Sequence, residues 1–208
     1  FFPEFLTELE KLGWPVDVWS EHTYPDGQGT PSERALLIEK FTDTLAAAGA
    51  PDLPIWDTEV NYGIAGPGGI DGREISGSDA AGYVVRPYVD NLRLGVDRSY
   101  WYIWSLAPLE FLGIQAFAGS DAEQGFFALD NWVIGASFDG CSENAGAVAC
   151  DFSRDGTQWV VAWASDGEAT YTTPENSQLI CDPLANCEEA GPGTDITLTE
   201  TPIRVYLQ

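Results

Sequence analysis

The chain has 208 residues, of which 44% are hydrophobic and 12% aromatic, enough to bury a substantial core. Aspartate and glutamate number 33 against 9 lysines and arginines, so the formal net charge is -24. Such an acidic surface repels nucleic acid and anionic membranes, and the sequence has no long apolar run, calcium-loop motif or zinc-ligand spacing. We therefore expect no nucleic-acid partner, no membrane partner, no metal and no cofactor.

The chain opens with a helical pattern and a short strand. Apolar residues at helical spacing predict a helix over 3–12, which Gly13 ends. The segment 14–25 is predicted to contain a strand, because its residues alternate in character. With a period of two, Ser20, His22 and Tyr24 lie on one face of this strand.

A second helix and an acid-ending strand follow. Thr30 and Glu33 have the spacing of a capping box, which predicts a helix running to about residue 48. Residues 53–60 are then predicted to be a buried strand, which ends with Asp57 and Glu59. Since a desolvated carboxylate is costly, acids at the end of a buried strand indicate a functional role there.

The next 70 residues continue the alternation. A glycine-rich loop over 61–77 leads to a helix starting near residue 78, which Pro87 is predicted to kink or interrupt. Residues 97–106 are aromatic on both faces, as in a parallel strand buried on both sides. A loop over 107–119 precedes a helix from 120 to about 133. Alternating helices and strands predict a parallel sheet or barrel.

The pattern changes after residue 134. Segments of residues 135–208 are short, β-branched or aromatic and are separated by turn residues, which predicts a small antiparallel β-sandwich domain. This domain is small for an independent sandwich, so we expect it to pack on residues 1–134. Its four cysteines are most simply paired as Cys141–Cys150 and Cys181–Cys187. Oxidised cysteines predict a secreted, extracellular or periplasmic protein.

The chain begins without methionine and with a helix already in progress, so we expect a fragment that lacks its N-terminal part. Three stretches resemble the C-terminal half of the clan A retaining glycoside hydrolases, a group of (β/α)8 barrels that includes cellulase-like and β-xylosidase-like enzymes. SEHTYP resembles the end of their sixth strand, WDTEVNYG that of the seventh, and YWYIWSL that of the eighth.

The resemblance implies that residues 1–134 are a partial TIM barrel with strands six to eight, and that residues 135–208 are an accessory domain. It also implies a glycosidase that acts on an oligo- or polysaccharide, with Glu59 as nucleophile. The acid/base glutamate of this clan follows the fourth strand and would lie upstream of residue 1, so the fragment alone would be inactive.

The remaining candidate residues would surround the substrate. Tyr24 is expected to donate its phenol to Glu59, and His22 to bind a sugar hydroxyl or a nearby carboxylate. Trp104 suits stacking on a sugar ring, whereas Trp101 points the other way into the core. Asn61 is expected to contact substrate. Asp57 is expected to share the face of Glu59, two residues deeper in the barrel mouth, and to take part in a hydrogen-bond network. The loops 61–77 and 107–119, with Tyr62, Glu110 and Phe111, are expected to form cleft walls.

Two alternatives remain open on the sequence. The chain is compatible with a non-catalytic carbohydrate-binding protein of the same fold, which needs no acid/base glutamate. It is also compatible with a different α/β hydrolase or a structural surface protein in which Glu59 is incidental. No nucleophile-elbow, zinc-protease, Walker or dinucleotide motif supports another class of enzyme.

Overall fold

A parallel sheet organises the first part of the chain, as predicted. The computed structural model describes residues 1–66 and 71–208. Strands β1 (Trp19–Glu21), β2 (Ile55–Val60) and β3 (Arg98–Trp101) pair in parallel in the order β1-β2-β3. The strand with the candidate nucleophile is therefore the middle one, with β1 and β3 on either side.

Helices connect and follow these strands, and their ends agree with the capping signals. Thr30 accepts a hydrogen bond from the Glu33 backbone, and the Glu33 side chain accepts one from the Thr30 backbone, so the predicted capping box is formed. Ser120 caps the last helix by accepting from the Glu123 backbone, but the Glu123 side chain accepts from the Gly119 backbone instead of closing the box. The described residues form the helices α1 (Phe2–Lys11), α2 (Pro31–Ala47), α3 (Gly77–Leu94) and α4 (Asp121–Trp132).

Three predictions about this part need correction. Strand β1 ends at Glu21, so His22 and Tyr24 lie in the loop beyond it. Strand β3 is shorter than predicted and is not buried on both sides, since Tyr100 is 44% exposed. Of the two outcomes predicted at Pro87, a kink or an interruption, the interruption is absent, because helix α3 continues through Pro87 with buried valines on both sides of it. Of the predicted loop over 61–77, residues 67–70 lie outside the described residues.

The rest of the chain forms antiparallel sheets. A six-stranded sheet has the order β4-β5-β6-β11-β8-β9, and a two-stranded sheet pairs β7 with β10. The predicted β character of this region is confirmed, although its second sheet has only two strands. The strands are β4 (Ser137–Asn144), β5 (Ala147–Arg154), β6 (Thr157–Ala164), β7 (Ala169–Thr172), β8 (Ser177–Cys181), β9 (Cys187–Glu189), β10 (Asp195–Leu198) and β11 (Ile203–Leu207).

The central strands of the six-stranded sheet are buried on both faces. Trp159, Val161 and Trp163 alternate along β6 and pack with Val85 and Val89 of α3 and with residues of α4. The intervening residues of β6 pack on the opposite side, in a cluster that includes β7 and β10. The expectation that the β region packs on the α/β part is therefore confirmed, because one hydrophobic cluster contains residues of both.

Both predicted disulfides are present. Cys141 bonds to Cys150 across β4 and β5, and Cys181 bonds to Cys187 across β8 and β9. Each bond joins residues that face each other in neighbouring strands. Among the helices described, none combines the length and the hydropathy needed to cross a bilayer.

Candidate functional site

Glu59 lies at the C-terminal end of the middle strand, at an irregularity in its pairing. Asp57 pairs with Ser99, and Val60 pairs with Trp101, so β2 has one more residue in this interval than β3. This difference is a β-bulge, which re-aims side chains and is frequent next to active sites. As a result, the side chains of Thr58 and Glu59 both lie close to His22.

Two side chains from the loop after β1 contact the Glu59 carboxylate. Tyr24 donates its phenol hydrogen to Glu59 Oε2 at 3.0 Å, and His22 Nδ1 lies 3.5 Å from the same oxygen. The Glu59 side chain is 36% exposed and that of His22 48% exposed, so both reach solvent. The predicted grouping of Glu59, Tyr24 and His22 is therefore present, although two of the three lie beyond a strand.

Tyr24 is a donor that does not ionise under ordinary conditions. Burial raises the pKa of Tyr24 well above its usual range, and the neighbouring carboxylates of Glu59 and Asp57 raise it further, as does Tyr102. A phenol with such a pKa keeps its proton. It can therefore hold the Glu59 carboxylate in one orientation over the whole physiological pH range.

His22 has a second partner on the same strand as Glu59. Its Nε2 lies 2.8 Å from Thr58 Oγ1, which in turn lies 2.8 Å from Ser20 Oγ. The imidazole therefore bridges two consecutive residues of β2. Thr58 and Ser20 were not predicted as site residues, because a regular strand would point Thr58 away from Glu59.

Asn61 has a structural role, so the prediction that it contacts substrate is wrong. It is fully buried. Its amide donates to the carbonyls of Tyr102 at 2.6 Å and Ile114 at 3.1 Å, and it accepts from the Tyr62 backbone at 2.7 Å. These bonds join the end of β2 to the segment after β3, which fixes the backbone beside Glu59.

The hydrogen-bond network predicted for Asp57 is present, but its partners differ from those of Glu59. Arg34 of α2 donates to Asp57 at 2.5 Å, and Asn91 of α3 donates to it at 3.0 Å. Burial raises the pKa of Asp57 to about 7, against the lowering effect of Arg34. Glu21, its neighbour on β1, is buried as well and lies 3.9 Å from Arg34.

Trp101 at the end of β3 and Trp104 after it differ in exposure, as predicted. Trp104 is 46% exposed, whereas Trp101 is partly buried and packs against a hydrophobic cluster. Both rings contact Phe126 of α4 edge-on, with centroids 5.9 Å and 6.0 Å away. Trp104 therefore has an aromatic support behind it and an accessible surface for a ligand.

The loops after β2 and β3 line an open cavity of about 650 Å³ near the first turns of α3 and α4, and Glu59 and Trp104 are not among its lining residues. Glu110, one of the predicted wall residues, lines it, and Phe111 is 43% exposed nearby in sequence. Tyr62 does not form a wall, because it is buried against Tyr83. Within residues 1–66 and 71–208, no three histidine, cysteine or acidic side chains come together as a metal site.

Comparison with known proteins gives matches in structure only. No protein-family model matches the chain, and neither does any curated protein sequence. A family 39 glycoside hydrolase from Bacteroides cellulosilyticus WH2 superposes with a TM-score of 0.63 at 14% identity, over 98% of this chain and 47% of that one.

Two further structures match in the same way. A glucosidase from Croceicoccus marinus has a TM-score of 0.57 at 10% identity, over 97% of this chain and 55% of that one. A monomeric β-xylosidase from Caulobacter crescentus CB15 has a TM-score of 0.55 at 15% identity, over 100% and 59%. This chain thus spans about half the length of these structures and shares the fold of the part that it matches.

Proposed function

We propose that this chain is the nucleophile-bearing half of a retaining glycoside hydrolase, and that Glu59 is the nucleophile. The observation that carries the proposal is the placement of Glu59. Its partly exposed carboxylate lies at the C-terminal end of the middle parallel strand and is held by the phenol of Tyr24 at 3.0 Å. The C-terminal ends of parallel strands are where enzymes of barrel folds place their catalytic groups.

The contacts of Glu59 favour one of its oxygens for attack. Both Tyr24 and His22 approach Oε2, which leaves Oε1 to attack the anomeric carbon of the sugar. As the bond from Oε1 to this carbon forms, the glycosidic bond breaks and the leaving oxygen takes a proton from the acid/base. Water then attacks the anomeric carbon and gives a proton to the acid/base, while the bond from this carbon to Oε1 breaks and the Glu59 carboxylate is regenerated.

The acid/base is proposed to be a glutamate outside this chain. The two groups that contact Glu59 here are a phenol and an imidazole, and a retaining enzyme needs a second carboxyl group about 5–5.5 Å from the first. The chain matches about half the length of glycoside hydrolase structures, which supports a second half that contributes this group. The division into residues 1–134, a partial (β/α)8 barrel, and residues 135–208, an accessory β-sandwich domain, belongs to the same proposal.

The substrate is proposed to be a β-linked oligo- or polysaccharide. Trp104, in the segment after the neighbouring strand β3, offers an accessible ring for stacking on a sugar, and His22 offers a polar contact. The names of two structural neighbours, a glucosidase and a β-xylosidase, suggest glucosides and xylosides as first test substrates. The two disulfides favour action outside the cytoplasm, where such bonds persist.

The test uses the complete protein and 4-nitrophenyl β-glucoside and β-xyloside. Glu59→Gln should abolish turnover, whereas Glu74→Gln, in the loop after the same strand, should leave it within about twofold. A 2-fluoro sugar with a good leaving group should label Glu59, identified by peptide mass spectrometry. Labelling of another carboxylate would refute the assignment, and sugar binding without any turnover would favour the non-catalytic alternative.

A further inference from the structure

The only histidine of the chain lies between two polar side chains of one strand. Its Nδ1 is 3.5 Å from Glu59 Oε2, and its Nε2 is 2.8 Å from Thr58 Oγ1. Thr58 Oγ1 is also 2.8 Å from Ser20 Oγ of β1 and 3.5 Å from the Glu21 carbonyl. Ser20, Thr58, His22 and Glu59 therefore form a continuous polar chain across two neighbouring strands.

The chemistry of these groups determines where the imidazole proton lies. An ionised carboxylate only accepts hydrogen bonds, so the ring nitrogen that faces Glu59 is favoured as the N–H. In a neutral imidazole the other nitrogen then has a lone pair and accepts from the Thr58 hydroxyl. Because the Thr58 hydroxyl donates its one hydrogen to His22, the Thr58 oxygen accepts a hydrogen bond from Ser20.

We propose that Ser20 and Thr58 form a hydroxyl relay that fixes neutral His22 as the Nδ1–H tautomer, with this N–H directed at Glu59. Thr58 and Ser20 are positioning residues in this proposal, because they act on Glu59 only through the imidazole. The significance for catalysis rests on the proposed function, whereas the tautomer itself does not.

The β-bulge is what allows a single imidazole to reach both residues. In a regular strand, consecutive side chains point to opposite faces, and Thr58 and Glu59 would not contact the same ring. The extra residue in β2 between Asp57 and Val60 removes this alternation. Ser20 is in register with Trp56, so β1 brings its hydroxyl beside the start of the bulge.

Nuclear magnetic resonance reads the tautomer directly, because the chain contains one histidine and gives one imidazole spectrum. Long-range 1H–15N correlation is recorded on the 15N-histidine-labelled chain about two pH units above the ordinary imidazole pKa of about 6.5. We expect the wild-type spectrum to show mainly the Nδ1–H form. A spectrum dominated by the Nε2–H form would overturn the proposal.

Variants test whether the relay is the cause. Thr58→Val keeps the shape of the side chain without its hydroxyl and should lower the ratio of Nδ1–H to Nε2–H about fivefold, whereas Thr58→Ser should retain the wild-type ratio. An unchanged ratio in Thr58→Val would overturn the proposal. If Thr58→Val does not fold, Ser20→Ala decides: it removes one donor to Thr58 and should lower the ratio about twofold, and no change would refute the relay.

An activity measurement on the complete protein separates this proposal from the proposed function. If Glu59 is the nucleophile, Thr58→Val should lower kcat about threefold to tenfold with little change in KM, and Thr58→Ser should restore it. A shifted tautomer in a protein without glycosidase activity would leave the relay in place and refute the function. Full activity together with a shifted tautomer would refute the positioning role.

Discussion

Removal of the Arg34 guanidinium should strongly destabilise the chain. Arg34 has no exposed surface and lies on α2, from which it donates to Asp57 at 2.5 Å and to Asn91 at 3.2 Å. It is also the cation nearest to buried Glu21, at 3.9 Å. Arg34→Met preserves the aliphatic part of the side chain but leaves two acidic groups buried without their cation. We expect a loss of about 3–5 kcal/mol in the free energy of unfolding.

Urea denaturation followed by tryptophan fluorescence and circular dichroism measures this loss. With an m-value of about 2–3 kcal/mol per M, the midpoint should fall by about 1–2 M. Lys40→Met, on the exposed side of the same helix, is the control and should change stability by no more than about 0.5 kcal/mol. The two probes must give coincident transitions for the comparison to hold.

A double variant distinguishes loss of the ion pair from loss of packing. In Arg34→Met with Asp57→Asn, one of the two acidic groups left without their cation is gone, so the combined loss should be smaller than the sum of the single losses by about 1–3 kcal/mol. Additive losses, or a loss below about 1 kcal/mol in Arg34→Met alone, would refute the role of Arg34 as the neutralising cation of this cluster.

Three further variants test other contacts. Tyr24→Phe removes a hydrogen bond to a carboxylate and should lower turnover of an aryl β-glycoside by the complete protein about tenfold to a hundredfold; a change below twofold would contradict its role. Gly82→Ala places a methyl group 2.5 Å from Thr201 Cγ2 and should cost about 1–3 kcal/mol in urea denaturation, whereas Gly191→Ala meets nothing within 4 Å and should be neutral. Burial raises the pKa of Asp57 from 3.8 to about 7, so the folded chain binds this proton more tightly than the unfolded chain. This tighter proton binding stabilises the fold fully below pH 3.8, and the stabilisation is lost as the pH rises through about 7. In Asp57→Asn the melting temperature should therefore depend less on pH over this range. An unchanged pH dependence would contradict the raised pKa.

The sequence predicts the elements of this protein well where one local signal decides them. The capping box at Thr30 and the alternation along β6 are such signals, and both are present in the structure. The pairing of the cysteines follows from their short separations within one β region. These features depend on neighbours in the chain, so residue type and spacing are sufficient to predict them.

The site is predicted in part, because its geometry depends on a pairing irregularity. The grouping of Tyr24 and His22 with Glu59 follows from the resemblance and from period two. The different partners of Asp57 do not follow, because the bulge after it changes which side each residue faces. No residue type in this segment marks the bulge, and the same irregularity hid the contact between Thr58 and His22.

The burial of single side chains accounts for two further differences between prediction and structure. Asn61 looked like a ligand contact because it follows a strand end, but its amide satisfies backbone groups that the loop leaves unpaired. The exposure of Tyr100 on β3 was missed for the opposite reason, since an aromatic residue in a strand indicates burial only on average. Both errors concern contacts between segments that are distant in sequence.

The two disulfides have a consequence for how the six-stranded sheet resists its surroundings. Its outermost strands are β4 and β9, and each is tied covalently to the strand beside it. Outer strands are the first to fray, and a frayed strand offers its free backbone groups to other chains. The bonded cysteines are only 9 and 6 positions apart in sequence, so each bond holds one outer strand to the strand beside it. Reduction should therefore promote aggregation and proteolytic nicking at these outer strands before the central strands unfold.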